Sequence, residues 1–256
     1  MKLLSVVGAR PQFIKASTLL RASKDKCEHL LVHTGQHYDK EMSEIFFEEL
    51  EIKKPNYQFY LESKTQSQQT AEILTKIDKV FSEVCPDIVI LYGDTNTTLA
   101  ASLAAVKRSI PIAHVEAGLR SFNKEMPEEI NRIITDHCST FLFVPTKVAV
   151  ENLRSESIIE NVYVTGDVML DVFNYYLSKL DLKGSILGDF SVEKNKYILL
   201  TLHRPQNVDD LDVLANILDK VNSLNKNIVM PVHPRTQKNL DKLFASGKAY
   251  SNINFT

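Results

Sequence analysis

Short runs of Val, Ile and Leu alternate with longer amphipathic stretches along most of the chain, and this alternation limits the possible folds more than any other feature. It is the pattern of βαβ units around a parallel sheet. Residues 3–7 read as a buried strand and 11–22 as a helix with Pro11 in its first turn. Strands follow at 29–33, 87–92, 110–115, 140–144 and 162–165. Helical spacing marks 39–50, with Asp39 as a candidate N-cap, and then 66–84, 95–107, 127–137 and 168–180. Residues 181–195 mix charge, Gly and Ser without period and read as a connection. A second α/β unit then runs through a strand at 197–202, a helix at 208–224, a strand at 228–232, a helix at 234–244 and a strand at 253–255. The expected fold class is α/β, with one domain at 1–168 and the first part of a second at 169–256. Three strands with no closing helix leave the second domain unfinished, because parallel strands need both faces covered. The expectation is therefore a truncated chain.

Composition narrows the function. The 256 residues carry 30 Lys+Arg against 32 Asp+Glu and no Trp, so neither the basic footprint nor the Trp platforms of a nucleic-acid reader are expected. The apolar run at 3–7 is too short for a signal-peptide core or a membrane span, which points to a cytoplasmic protein and no membrane partner. Cys27, Cys85 and Cys138 form neither a CxxC pair nor a zinc-ligand spacing, so no metal is expected. The chain has no GxGxxG, Walker A, HExxH or GxSxG pattern.

In a doubly wound sheet, ligands bind beyond the carboxyl ends of the strands, so the residues after each apolar run carry the interest. After the first strand, Gly8 permits a tight turn, and Arg10 and Lys15 are cations at a helix start, suited to an anion or simply solvated. After the second come Gln36 and His37. Asp94 and Glu116 end two strands that would bring both carboxylates into one crevice if they are neighbours; Asp94 reads equally well as an N-cap. Glu128 and Arg132 are four apart, which suits an ion pair on one helix face. His203-Arg204 and His233-Pro234-Arg235 end two strands of the second unit, either as solvated loops or as a cationic wall for a nucleotide.

Taken in order, GARPQFIK (8–15), TGQHYD (34–39), YGDTNTTLA (92–100), HVEAGLRS (114–121), MPEEINR (126–132), LHRPQN (202–207) and PVHPRT (231–236) closely resemble the non-hydrolysing UDP-N-acetylglucosamine 2-epimerase family. The resemblance implies two Rossmann-like domains in a GT-B arrangement and a homodimer. It also implies a UDP-sugar substrate without a cofactor, converted between UDP-GlcNAc and UDP-ManNAc for surface polysaccharide synthesis. UDP would leave C1 as the C2 proton is removed, and would re-add to the 2-acetamidoglucal with protonation on the other face. By motif position Asp94, Glu116, Glu128 and His203 would be catalytic. Arg10, Lys15, Gln36, His37, Arg132, Arg204 and His233 would bind substrate.

Some family features are missing. The TDSGG-type segment and a downstream glutamate that hold UDP do not occur before Thr256. Glu72 and His203-Arg204-Pro205-Gln206 replace the arginine and the HRRE-like residues of members activated by substrate. Parts of the wording are also similar to epimerases of UDP-2,3-diacetamido uronic acids. Competing readings are a hydrolysing variant that releases UDP and N-acetylmannosamine, a GT-B glycosyltransferase, and an inactive truncated fragment.

Overall fold

A computed structural model describes residues 1–36, 47, 50–63, 65–179 and 186–256. The chain divides into two compact units, Met1–Leu180 and Asp181–Thr256. The helix expected at 39–50, with Asp39 as its cap, lies almost wholly outside the described residues.

In the first unit β1 (Lys2–Val7), β2 (Glu28–His33), β3 (Tyr57–Gln58), β4 (Ile88–Tyr92), β5 (Ile112–Val115), β6 (Phe141–Val144) and β7 (Val162–Val164) form one parallel sheet. Their order is β3-β2-β1-β4-β5-β6-β7. The chain winds outward from β1 in one direction and from β4 in the other, so the β1/β4 border is the switch point where a crevice opens at the carboxyl ends. Helices α1 (Arg10–Ser23), α2 (Gln66–Val84), α3 (Asn96–Lys107), α4 (Pro127–Cys138), α5 (Lys147–Ser155) and α6 (Val168–Lys179) accompany the sheet. Ile77, Val80, Phe81, Ala101 and Ala104 of α2 and α3 pack against Leu4, Val6, Val89 and Leu91. A second cluster joins Phe13 and Ala16 of α1 and Val168 of α6 to Val7, Ile90 and Tyr92. Parallel strands buried on both sides need this double cover.

Helix α5 is absent from the sequence reading. Thr146 starts it, its hydroxyl accepting from the Ala149 N–H at 3.2 Å. Asp167 similarly accepts from the Met169 N–H at 2.8 Å, at the start of α6.

The second unit places β8 (Tyr197–Leu199), β9 (Asn227–Met230) and β10 (Ile253–Phe255) in a parallel sheet of order β10-β9-β8. Leu214, Leu218, Ile228, Met230, Leu240 and Ile253 form its core. The stretch expected to be an irregular connection contains a one-turn helix, α7 (Ile186–Asp189). The helix expected at 208–224 is α9 (Leu211–Asn222), preceded by a short α8 (Pro205–Val208). The break falls at Asp210, whose side chain accepts from the Asp212 and Val213 N–H groups at 2.9 and 3.1 Å and so starts a new helix. Helix α10 (Pro234–Ala245) follows β9.

Candidate active site

The switch point of the first unit gathers Lys15, Gln36, Asp94, Glu116 and Arg132 of the predicted side chains. Gly8 leaves β1 beside β2 and α3; an added Cβ would lie 2.1 Å from Thr97 Oγ1 and 2.3 Å from Thr34 Oγ1. Only glycine fits this passage, and Gln12 completes it. Its buried Oε1 accepts from the Gly8 and Ala9 N–H groups at 2.8 and 3.1 Å, while Nε2 donates to the Tyr92 carbonyl at 2.7 Å. These two amides at the head of α1 are thus already satisfied by the chain's own side chain, a constraint that the cationic pattern at 8–15 did not reveal.

Lys15 is not a surface cation: its side chain is 10% exposed, and Nζ donates to Glu116 Oε2. Arg10 is exposed at the start of α1. Gln36 turns inward, its Oε1 accepting from the Thr97 N–H and hydroxyl, both at 2.8 Å, so it fixes the first turn of α3. His37 lies outside the described residues.

β4 and β5 are neighbours, with Tyr92 opposite Val115, so Asp94 and Glu116 follow adjacent strands, the condition on which one crevice was expected to hold both. Gly93 sits between them; a Cβ there would be 3.3 Å from Glu116 Oε2 and 3.7 Å from Lys15 Nζ. Glu116 itself has φ +73°, a left-handed conformation that a non-glycine residue seldom adopts and that is often found at functional sites. Its N–H donates to the Phe143 carbonyl at 3.0 Å, which holds the bend.

Asp94 is not the cap of α3; Thr95 takes that place and accepts from the Thr98 N–H. The Asp94 carboxylate instead accepts from Arg132 Nη2, and its carbonyl accepts from Asn131 Nδ2 at 2.9 Å. The expected Glu128–Arg132 pair is also replaced. Arg132 Nη1 bonds Glu129 Oε2 at 3.0 Å, while Glu128 is exposed. Glu129 is buried and accepts from the Ser121 and Phe122 N–H groups, both at 2.9 Å. Burial opposes its charge, but these N–H groups and Arg132 prevail and hold its carboxyl below the ordinary range. Asp94, Arg132 and Glu129 therefore form a linked row from the turn after β4 to the loop before α4.

In the second unit the ends of β8 and β9 bring His203 and His233 together, ring centroids 5.8 Å apart. Both are exposed, as is Arg204. His233 Nδ1 accepts from the Arg235 N–H at 3.1 Å, so its hydrogen sits on Nε2. Arg235 is tied to Asp209 at 2.7 and 2.8 Å. Among the described residues no three His, Cys, Asp or Glu side chains meet as a metal site needs, and no helix is long and apolar enough to cross a membrane.

Comparison with known proteins agrees with this architecture. The sequence model of the family described as UDP-N-acetylglucosamine 2-epimerase matches residues 20–256. A UDP-N-acetylglucosamine 2-epimerase homolog of Methanococcus maripaludis is 47% identical over 99% of this chain and 72% of its own length. A UDP-2,3-diacetamido-2,3-dideoxy-D-glucuronate 2-epimerase of Pseudomonas aeruginosa is 45% identical over 95% of this chain and 70% of its own. The crystal structure of Methanocaldococcus jannaschii UDP-GlcNAc 2-epimerase, in complex with UDP-GlcNAc and UDP, superposes with a TM-score of 0.83 at 41% identity, covering 100% of this chain and 73% of that one.

Proposed function

The chain belongs to the UDP-N-acetylglucosamine 2-epimerase family, and on that membership and the switch-point geometry we propose that it is an isomerase interconverting UDP-GlcNAc and UDP-ManNAc. The observation that carries the mechanism is the pair of carboxylates, Asp94 and Glu116, in the turns that follow two adjacent strands, each against its own cation, Arg132 and Lys15. Inverting C2 without a redox cofactor requires a proton to leave one face and return to the other, so acid/base groups on both sides of the carbon are needed. Asp94, Glu116 and the exposed Glu128 are the proposed acid/base set.

Cleavage of the C1–O bond moves negative charge onto the departing diphosphate. In the first unit Arg10 and Lys15 are proposed to bind that charge, and in the second unit His203, Arg204 and His233 are proposed substrate-binding groups. Gln36 and His37 complete the proposed substrate contacts. UDP stays bound beside the 2-acetamidoglucal and re-adds at C1 as C2 is protonated, so the enzyme is non-hydrolysing and its product serves surface polysaccharide synthesis. A homodimer is the expected assembly, readable by light scattering.

The test is a proton NMR time course with UDP-GlcNAc in D2O. The expected result is UDP-ManNAc with deuterium at C2 and no accumulation of free UDP. Free UDP with N-acetylmannosamine would mean hydrolysis. Turnover only of a UDP-2,3-diacetamido uronate would move the substrate towards that of the Pseudomonas relative. Glu116→Gln keeps the shape but removes the base, and should lower kcat by about 100-fold or more. Unchanged turnover in that variant would sink the acid/base assignment.

A further inference from the structure

A second set of buried titratable groups stands behind the turn and has no part in the proposed acid/base chemistry. His114, on β5, is fully buried. Its Nε2 lies 2.8 Å from the Gly93 carbonyl oxygen and its Nδ1 2.7 Å from Asp136 Oδ1. A carbonyl oxygen can only accept, so Nε2 carries a hydrogen and donates it to Gly93. Nδ1 shares a proton with Asp136. The other Asp136 oxygen accepts from the Gly118 N–H at 3.1 Å and from Arg120 Nη1 at 2.7 Å. Arg120 in turn forks onto Glu156, with both contacts at 2.7 Å. The His114, Asp136 and Arg120 side chains are each at most 1% exposed, so water cannot substitute for any of these partners.

What this row holds is specific. The Gly93 carbonyl belongs to the rigid peptide plane that leads into Asp94, so fixing its oxygen fixes the plane. The Gly93 N–H is bound to the Val115 carbonyl at 3.0 Å and the Asp94 carbonyl to Asn131. The His114 backbone meanwhile leads, two residues on, to Glu116 in its left-handed conformation. Through its ring His114 sets one carboxylate, and through its strand it sets the other.

We propose that His114, clamped by Asp136, is a positioning residue that holds the Gly93–Asp94 peptide and thereby keeps Asp94 and Glu116 in register for proton transfer. The proposal rests on the epimerase reading above. A buried His–Asp pair that only stabilised the sheet would not depend on which ring nitrogen is kept, and this separates the two roles. In His114→Gln the amide nitrogen falls near the place of Nε2 and still reaches Gly93. In His114→Asn it falls near the place of Nδ1 and reaches only Asp136.

The Asn variant should lose about 10- to 100-fold in kcat with little change in KM, as expected when reacting groups are misplaced by a fraction of an ångström, while the Gln variant keeps most of its turnover. Hydrogen exchange of the Gly93 amide should quicken in the Asn variant alone. Equal kcat losses in the two variants, with equal exchange at Gly93, would overturn the proposal, as would a change confined to KM. If neither variant folds, the unaltered protein decides: ring ¹⁵N NMR should show a slowly exchanging His114 Nε2–H, and a bare Nε2 would refute the assignment. Failure of the epimerase reading is distinguishable, since an unaltered protein that never deuterates C2 still yields the exchange and ring measurements.

Discussion

Replacing Arg120 by Ala should unfold the first unit far more easily than any comparable change at the surface. The Arg120 side chain is 1% exposed and faces Asp136, which is fully buried, and Glu156, which is 24% exposed. Glu156 can turn to water once the guanidinium is gone. Asp136 cannot, and is left with the His114 ring and one backbone N–H. Stranding a buried charge in this way costs about 3–5 kcal/mol. For a unit of this size each kcal/mol moves the melting temperature by about 2–4 °C, so a fall of about 6–20 °C follows. Arg108 supplies the control, because its two-pronged contact with Asp78, at 2.5 and 2.8 Å, is geometrically just as good but lies in solvent. Exposed pairs contribute little, so Arg108→Ala should barely move the melt. Thermal unfolding by circular dichroism, with urea midpoints and amide exchange of β5 to read the first unit by itself, makes the comparison. If the two variants shift alike, burial is not what makes the Arg120–Asp136 contact matter, and the reasoning about the row behind the turn falls with it.

Acid should also weaken the fold. Burial holds His29 and His33 near a pKa of about 4, against 6.5 for the free side chain. Between those values the unfolded chain binds protons that the native state refuses, so stability is full above pH 6.5 and is lost as pH falls towards 4. For the fully buried His33 the loss between pH 7 and pH 5 is about 1–2 kcal/mol. Equal urea midpoints at the two pH values would contradict this. Two glycines separate backbone strain from crowding: Gly118 (φ +77°) and Gly166 (φ +82°) both sit in the left-handed region, but a Cβ on Gly118 would lie 2.5 Å from the Ala149 carbonyl oxygen, whereas nothing lies within 4 Å of Gly166. Gly166→Ala should cost about 1–2 kcal/mol for conformation alone, and Gly118→Ala distinctly more. A Gly118→Ala melt no lower than that of Gly166→Ala would show that α5 yields without cost.

Every strand but the two-residue β3 was readable from the sequence, because burial on both faces leaves a run of apolar residues with a clear end, as at Ile88–Tyr92 before Gly93; β3 is not buried and carries no such run. The carboxyl-end rule then singled out Asp94 and Glu116, which follow the neighbouring strands β4 and β5. Helix α4 shows why the rest was not readable. Its buried residues are Glu129, Asn131, Thr135 and Asp136, all polar, while Ile130 is 38% exposed. A helix normally turns its apolar stripe inward, so hydrophobic periodicity assigns this one the wrong inner face, while the four-residue spacing favours Glu128 over Glu129 as the partner of Arg132. Burying such a face is costly unless every group finds a partner. For three of the four the partners stand around the site: Glu129 on the Ser121 and Phe122 N–H groups, Asn131 on the Asp94 carbonyl, and Asp136 on His114 and Arg120; the Thr135 hydroxyl has no partner among the described residues. None of these partners is recognisable as such in the sequence, since each lies across the fold or in an irregular loop. The inverted amphipathicity is itself informative, because a helix that forgoes apolar burial to hold the turn after one strand and the loop after the next is built for the geometry of the site rather than for the core.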